Sequence, residues 1–241
     1  MSRLLLVPLV SLPGLALAAE PPLSQLSFAG SPLSMMGMLA LMSLLPFAVL
    51  MLTSFSKIAV VLSLARSAMG TQQAPPTIVL TGLAAVLTGH IMAPVMERMY
   101  DEGQAVYREA DSGARLLGAA AQVSEPLRVF LVKHGNAEER ARFLDLAREL
   151  RPPEEADKVH EEDLFVIIPA FVITELKEAF QIGFLIFLPF LVLDMVIANV
   201  LLALGMQSLS PSQVSLPFKI LLFVAVDGWA LLARGLILGY R

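Results

Sequence analysis

Asp194 and Asp227 are the residues whose type and setting could do chemistry, because each is a carboxylate inside an otherwise apolar stretch. Two aspartates brought together from different helices can share one proton, the arrangement used by aspartyl proteases. The same groups could instead serve an intramembrane ion or proton carrier. Against proteolysis, the second aspartate lies in Val226-Asp227-Gly228-Trp229, without the G-x-G-D pattern of the intramembrane enzymes. The chain also has no Walker A, G-x-S-x-G or H-E-x-x-H pattern. Its three histidines, His90, His134 and His160, fall in separate stretches, and it has no cysteine. Disulfides and thiol chemistry are therefore excluded, and no metal or other cofactor is expected.

Lys57, Lys219 and Arg234 are further charges in apolar surroundings, with Asn199 as a neutral companion. A charge at mid-membrane costs at least about 2.5–3.5 kcal/mol, so each needs a partner. Lys219, Asp227 and Arg234 are spaced by eight and seven residues. On one continuous helix they would fall within roughly 80° of each other, a polar stripe that must face protein or water. Salt bridges between helices of one chain, or between subunits, would satisfy it.

The elements that carry these residues are apolar throughout. Of 241 residues, 56% are hydrophobic and 16% charged, with a mean hydropathy of +0.73. Soluble domains carry about 25% charged residues, so this composition belongs to a membrane protein. Of the 38 charged residues, 26 (16 acidic, 10 basic) lie between Glu97 and Asp163, which reads as a hydrophilic insert. The net charge is −4 with no basic tract, which argues against nucleic acid as a partner.

Residues 1–19 have the form of a secretory signal, with Arg3, an apolar core and Ala16-Leu17-Ala18 as the cleavage site. The alternative is a short uncleaved anchor. Residues 20–32 read as a tether. Four apolar stretches follow. Residues 33–65 are interrupted at Pro46 and at Thr53–Lys57, and residues 77–96 have the length of one span. Residues 164–206 form a double-length run, expected to break at Glu175-Leu176-Lys177-Glu178 and to kink at Pro169 and Pro189, and residues 216–240 close the series. Lipid leaves exposed backbone groups without partners and no alternating barrel pattern occurs, so the fold class is all-α. The expected organisation is a first helical hairpin over 33–96, the insert over 97–163, and a second hairpin over 164–241 with a loop at 205–215.

Within the insert, Phe143, Leu146, Ala147 and Leu150 recur at helical spacing, Glu138 and Arg142 form an i,i+4 pair, and Pro152-Pro153 ends the helix. A second amphipathic stretch, 125–134, places Leu127, Phe130 and Leu131 on one side. With a cleaved signal and four spans, both ends and the insert lie outside and the loops 66–76 and 207–215 lie in the cytoplasm. Arg234 and Arg241 run against the positive-inside rule in that topology.

Three blocks carry a resemblance. The first is Leu52-Thr-Ser-Phe-Ser-Lys-Ile58, Arg66-Ser-Ala-Met-Gly-Thr-Gln-Gln73 with Pro75-Pro76, and Met92-Ala-Pro-Val95. The second is Phe171-Val-Ile-Thr-Glu-Leu-Lys-Glu-Ala-Phe-Gln-Ile-Gly-Phe184, continuing through Leu188-Pro-Phe190 and Leu193-Asp194. The third is Ser215-Leu-Pro-Phe-Lys-Ile-Leu-Leu-Phe223 followed by Val226-Asp-Gly-Trp229. In this order they strongly resemble the FliP/SctR family, inner-membrane export-gate components of type III secretion systems. The likeness covers about half of the chain, and the acidic insert matches in position and character only.

The resemblance implies a non-enzymatic subunit that assembles as a homopentamer. Its implied partners are proteins of the FliQ/SctS and FliR/SctT families, in a helical, pseudo-hexameric gate for unfolded secreted proteins. In that assembly much of the apolar chain is lifted to periplasmic height and covered by neighbours. Lys57, Glu175, Lys177, Asp194, Lys219 and Asp227 would pair within or between subunits. The loop containing Met206, Gln207, Ser208 and Leu209 occupies the place of the family's methionine-rich gasket, where pliable thioethers suit a seal. Here only Met206 remains, with Leu209 as the other apolar candidate. The signal leans towards the flagellar branch. Ile168-Pro-Ala-Phe171, Ala198-Asn199 and Ser210-Pro211 ahead of Ser215-Leu216-Pro217 lean towards the virulence injectisome, which is favoured.

Overall fold

The computed structural model describes residues 32–71, 74–109 and 113–241, and every helix and strand assignment among them is a helix. The expected signal and most of the tether lie outside the described residues. The helices are α1 (Pro32–Met51), α2 (Phe55–Ala68), α3 (Thr77–Glu109), α4 (Gly113–His134), α5 (Ala137–Glu149), α6 (Pro153–Ala156), α7 (Leu164–Ala203), α8 (Pro211–Ala225) and α9 (Gly228–Leu238). The chain divides into two units at Leu45/Pro46: the first holds the beginning of α1, and the second holds everything described below.

α2 buries Ile58, Val61, Leu62 and Ala65, a helical i, i+3, i+4, i+7 stripe, against α7 and α3. It ends at Gly70, whose φ of +77° is the left-handed conformation that glycine adopts without a Cβ penalty. α7 ends in a full Schellman motif: Gly205 has φ +70°, Met206 N–H donates to Leu201 O at 2.9 Å and Gly205 N–H to Leu202 O at 3.0 Å. α2 with α3, and α7 with α8 and α9, are thus two hairpins turned by glycine-terminated helices. α3 does not stop at Met96 but continues through Pro94 and past the apolar stretch to Glu109.

Three core layers follow one another along α7. Ile167 and Phe171 pack with Met92, Phe130, Leu131 and Tyr240. Ala179 packs with Ile58, Val61, Leu62, Leu80 and Leu236. Phe190 packs with Ala68, Met69 and Phe223.

α7 itself corrects the expected break. It runs unbroken for 40 residues through Glu175–Glu178 and both prolines. At 1.5 Å per residue that is about 60 Å, twice the hydrocarbon thickness of a bilayer. Glu, Leu and Lys are good helix formers, and the charges are accommodated by partners rather than by a turn.

The last apolar stretch departs from expectation in the opposite sense. The chain bends by 58° between α8 and α9, at Asp227, whose φ and ψ are 51° and 49°. Gly228 sits over the Phe223 ring so closely that a Cβ would come within 2.4 Å of it. The single polar stripe through Lys219, Asp227 and Arg234 therefore does not form.

In the insert, the helix expected over 138–150 is α5, capped by Asn136, whose side chain accepts from Glu138 N–H at 2.7 Å. The expected Glu138–Arg142 pair is present at 2.7 Å. The apolar stripe is only half used: Leu146 and Leu150 are exposed. Polar contacts set the rotation of α5 instead, because buried Glu139 faces Lys177 and Asn136 N–H donates to Thr174 Oγ1.

Two helices, residues 77–105 and 164–203, are long and apolar enough to cross a membrane, or up to four spans if each of two bent pairs is counted as one.

Candidate functional site

The charges in the apolar helices form two clusters, one at each end of the hairpins. The first lies at the open end. Lys57, in the first turn of α2, reaches Glu175 Oε1 at 3.1 Å and Glu178 Oε2 at 2.5 Å. The two glutamates are three residues apart and so share a face of α7. The Tyr240 hydroxyl donates to the other Glu175 oxygen, and Lys57 Nζ lies 4.3 Å from the Tyr240 ring centroid. Glu175 is fully buried, at 0% exposure. Both its oxygens are satisfied, which is the condition under which a carboxylate is tolerated there.

Beside it, Lys177 Nζ lies 3.4 Å from Glu139 Oε1, which also faces Arg142 Nη1 at 3.4 Å. This ties α5 of the insert to α7.

The second cluster lies at the loop end. Lys219 Nζ is 2.6 Å from Asp194 Oδ2, and the Ser215 hydroxyl donates to Asp194 Oδ1 at 2.5 Å. Lys219 and Ser215 are both buried. The turn of the first hairpin rests on this cluster: a Cβ on Gly70 would stand 3.5 Å from Leu216 and 3.9 Å from Lys219 Nζ. Each Asp194 oxygen is thus engaged by a partner other than Asp227. Asp227 is exposed at the α8–α9 bend and, among the described residues, makes no ion pair; Arg234 and Asn199 are also exposed.

Met206, Gln207, Ser208 and Leu209 form the exposed turn after α7, held by the Schellman bonds at one side and by Leu209 N–H to Met206 O at 3.3 Å. Met206 and Leu209 are 45% and 43% exposed, so the two apolar side chains project from the end of the second hairpin.

Several participants carried no signal in the sequence. Tyr240 looks like the end of an apolar helix, yet it bonds Glu175, faces Lys57, and packs against His134 and Phe130 at centroid distances of 5.0 and 6.0 Å. Ser215 looked like a loop residue. For the break between α8 and α9, the Asp227-Gly228 dipeptide, a common turn signal, is the one local indication.

His134, on α4 outside the apolar spans, has its pKa lowered from 6.5 to about 4, chiefly by burial and then by the charges of Lys133 and Lys57. The fold therefore favours the neutral imidazole. Its contribution to stability is complete above about pH 6.5 and declines as the pH falls towards 4. Substituting His134→Gln should flatten the loss of thermal stability over that window, read from melting curves at stepped pH; an unchanged slope would contradict this.

Comparison with known proteins gives consistent matches. A family profile described as the FliP family matches residues 38–236. The hypersensitivity response secretion protein HrcR of Ralstonia nicotianae is 47% identical over 86% of this chain and 97% of its own length. The Yop proteins translocation protein R of Yersinia pestis is 45% identical over 84% of this chain and 93% of its own. The flagellar biosynthetic protein FliP of Caulobacter vibrioides is 44% identical over 86% of this chain and 76% of its own.

Proposed function

This chain belongs to the FliP family, and from that premise we propose that it is a core, non-enzymatic subunit of the type III secretion export gate in the bacterial inner membrane. Five copies would combine with FliQ/SctS-like and FliR/SctT-like proteins to form the entry channel for unfolded secreted proteins. The observation that carries this reading is 47% identity, over 97% of its length, to a relative named for secretion. The relatives named above for secretion or translocation are covered over 93–97% of their length and the flagellar one over 76%, which supports the injectisome branch.

The structure fits a subunit that is completed by neighbours. α7 exposes Phe180, Phe184, Leu185, Leu191, Val192 and Met195 along one stretch. Asp227 and Arg234, exposed and without an ion pair among the described residues, are available for contacts between copies. The paired charges of the two clusters act as fixed points of the fold instead of as reactive groups. The insert would stand on the periplasmic side, and the loop at 205–215 would line the constriction.

The testing experiment is the native mass in mild detergent, with and without co-expressed partners. Five copies of the 26.0 kDa chain give 130 kDa. A discrete species at or above that mass is expected; a monodisperse monomer that ignores both partners would overturn the assembly. Within the assembled complex, Met206→Gly should raise the ion leak of the closed pore severalfold, because it removes the loop's one thioether. An unchanged leak in reconstituted complexes would count against Met206 as part of the seal.

A further inference from the structure

A small groove at the open end of the hairpins differs in character from both charge clusters. It lies between α3, α4 and Tyr240, has a volume of about 160 Å³, and its lining includes the apolar residues Ile91, Pro94 and Val95 of α3. Two cations, Arg98 and Lys133, stand at its mouth, and among the described residues lining it there is no carboxylate. Arg98 is exposed and has no ion pair among the described residues. Lys133 is exposed and gives one N–H to the Arg241 main-chain oxygen at 3.3 Å, its one hydrogen bond among the described residues. His134 and Tyr240 form an aromatic wall.

The position of the groove gives its chemistry a context. The apolar part of α3 ends at Met96, two residues before Arg98, and α9 ends at Leu238, two residues before Tyr240. The apolar run of α3 and that of α9 therefore both give way to polar residues beside the groove. Along α7, the open-end cluster at Glu175 and the loop-end cluster at Asp194 are nineteen residues apart, about 28 Å of helix, which matches a hydrocarbon layer about 30 Å thick. The groove lies at the edge of that layer, where cationic and aromatic side chains meet headgroups.

We infer that this groove binds the phosphate of an anionic phospholipid, with Arg98 and Lys133 as its counter-cations and Ile91, Pro94 and Val95 against the first carbons below it. The volume agrees with partial enclosure. Sites that envelop a whole small molecule occupy about 300–1,000 Å³, so a ligand here must be held by one end while its chains stay in the bilayer. The inference rests on the membrane reading of residues 77–96 and not on the export-gate reading. The site belongs to the single chain standing in a bilayer, before any lifting by assembly.

The test uses the full chain purified in dodecyl maltoside, with native mass spectrometry reading the lipid retained. Dioleoyl-phosphatidylglycerol is compared with dioleoyl-phosphatidylcholine, each with and without inorganic phosphate. One phosphatidylglycerol per chain should be retained in preference to phosphatidylcholine. The retention should fall about fivefold for each cation removed in Arg98→Gln and Lys133→Gln, both exposed positions. Val129→Glu, which places a carboxylate on the exposed wall, should weaken it independently.

Equal retention of the two lipids, or unchanged retention in the double variant, would overturn the inference. Displacement of phosphatidylglycerol by inorganic phosphate alone would show a phosphate site without a lipid and overturn it as well. Because lipid retention is measured on the monomer, its failure is separate from failure of the 130 kDa assembly.

Discussion

Replacing Lys57 with alanine should destabilise the chain by about 3–5 kcal/mol, the scale of breaking a buried ion pair from one side. The size follows from what is left behind. Glu175 has 0% exposure and would keep only the Tyr240 hydroxyl, while Glu178, about half exposed, can turn to solvent. The loss should be visible as a lower melting temperature in mild detergent and as less assembled complex.

Combining Lys57→Met with Glu175→Gln separates charge from packing. The neutral amide still accepts from Tyr240, and the methionine fills the lysine's apolar volume, so most of the lost stability should return. If Lys57→Ala melts within about 0.5 kcal/mol of the parent, the range of ordinary surface substitutions, the cluster is not a fixed point of the fold.

Gly183→Ala should cost about 1–3 kcal/mol through overpacking, and Gly183→Val more. α2 and α7 approach each other here so closely that a Cβ on Gly183 would lie 2.2 Å from Leu64 Cδ1 and 3.1 Å from Leu64 Cβ. The tip of Leu64 can rotate away, but its Cβ moves only with the backbone of α2. A second substitution, Leu64→Ala, should recover much of the loss in the alanine variant by vacating that space. Melting of the single and double variants decides the matter; a Gly183→Ala protein as stable as the parent would show that the helices can separate freely.

The sequence made the class of fold legible because nothing but helices can bury these stretches, and the need for partners legible because charges in apolar helices cannot stand alone. It did not reveal which residues pair. Lys57 and Glu175 are 118 positions apart, and no local periodicity connects them. The charged run Glu175–Glu178 looked like a boundary because charge usually marks water; in the structure it is the most deeply paired part of α7.

The bend at Asp227 is hidden in the sequence for the converse reason. An apolar composition on both sides suggested one helix, while the Asp-Gly dipeptide carried the local information. Tyr240 was invisible as a site residue because a tyrosine near the end of an apolar helix is ordinary until its hydroxyl is seen to face a buried carboxylate. The Met206 loop carries no chemical pattern of its own in the sequence, and the glycine-terminated end of α7 gives it a defined shape.

The long separation of Lys57 from its partners also sets a timetable for synthesis. At about 5–20 residues per second, a ribosome takes roughly 6–24 s to travel from Lys57 to Glu175. During that interval the first hairpin carries an ammonium group without the two carboxylates that receive it in the fold. The later arrival of Tyr240, 65 residues beyond Glu175, completes the set. Settlement of the first hairpin in the bilayer is therefore provisional while the rest of the chain is made. Until the second hairpin follows, Lys57, at the level where the hydrocarbon layer ends, keeps its ammonium hydrated by reaching towards the interface.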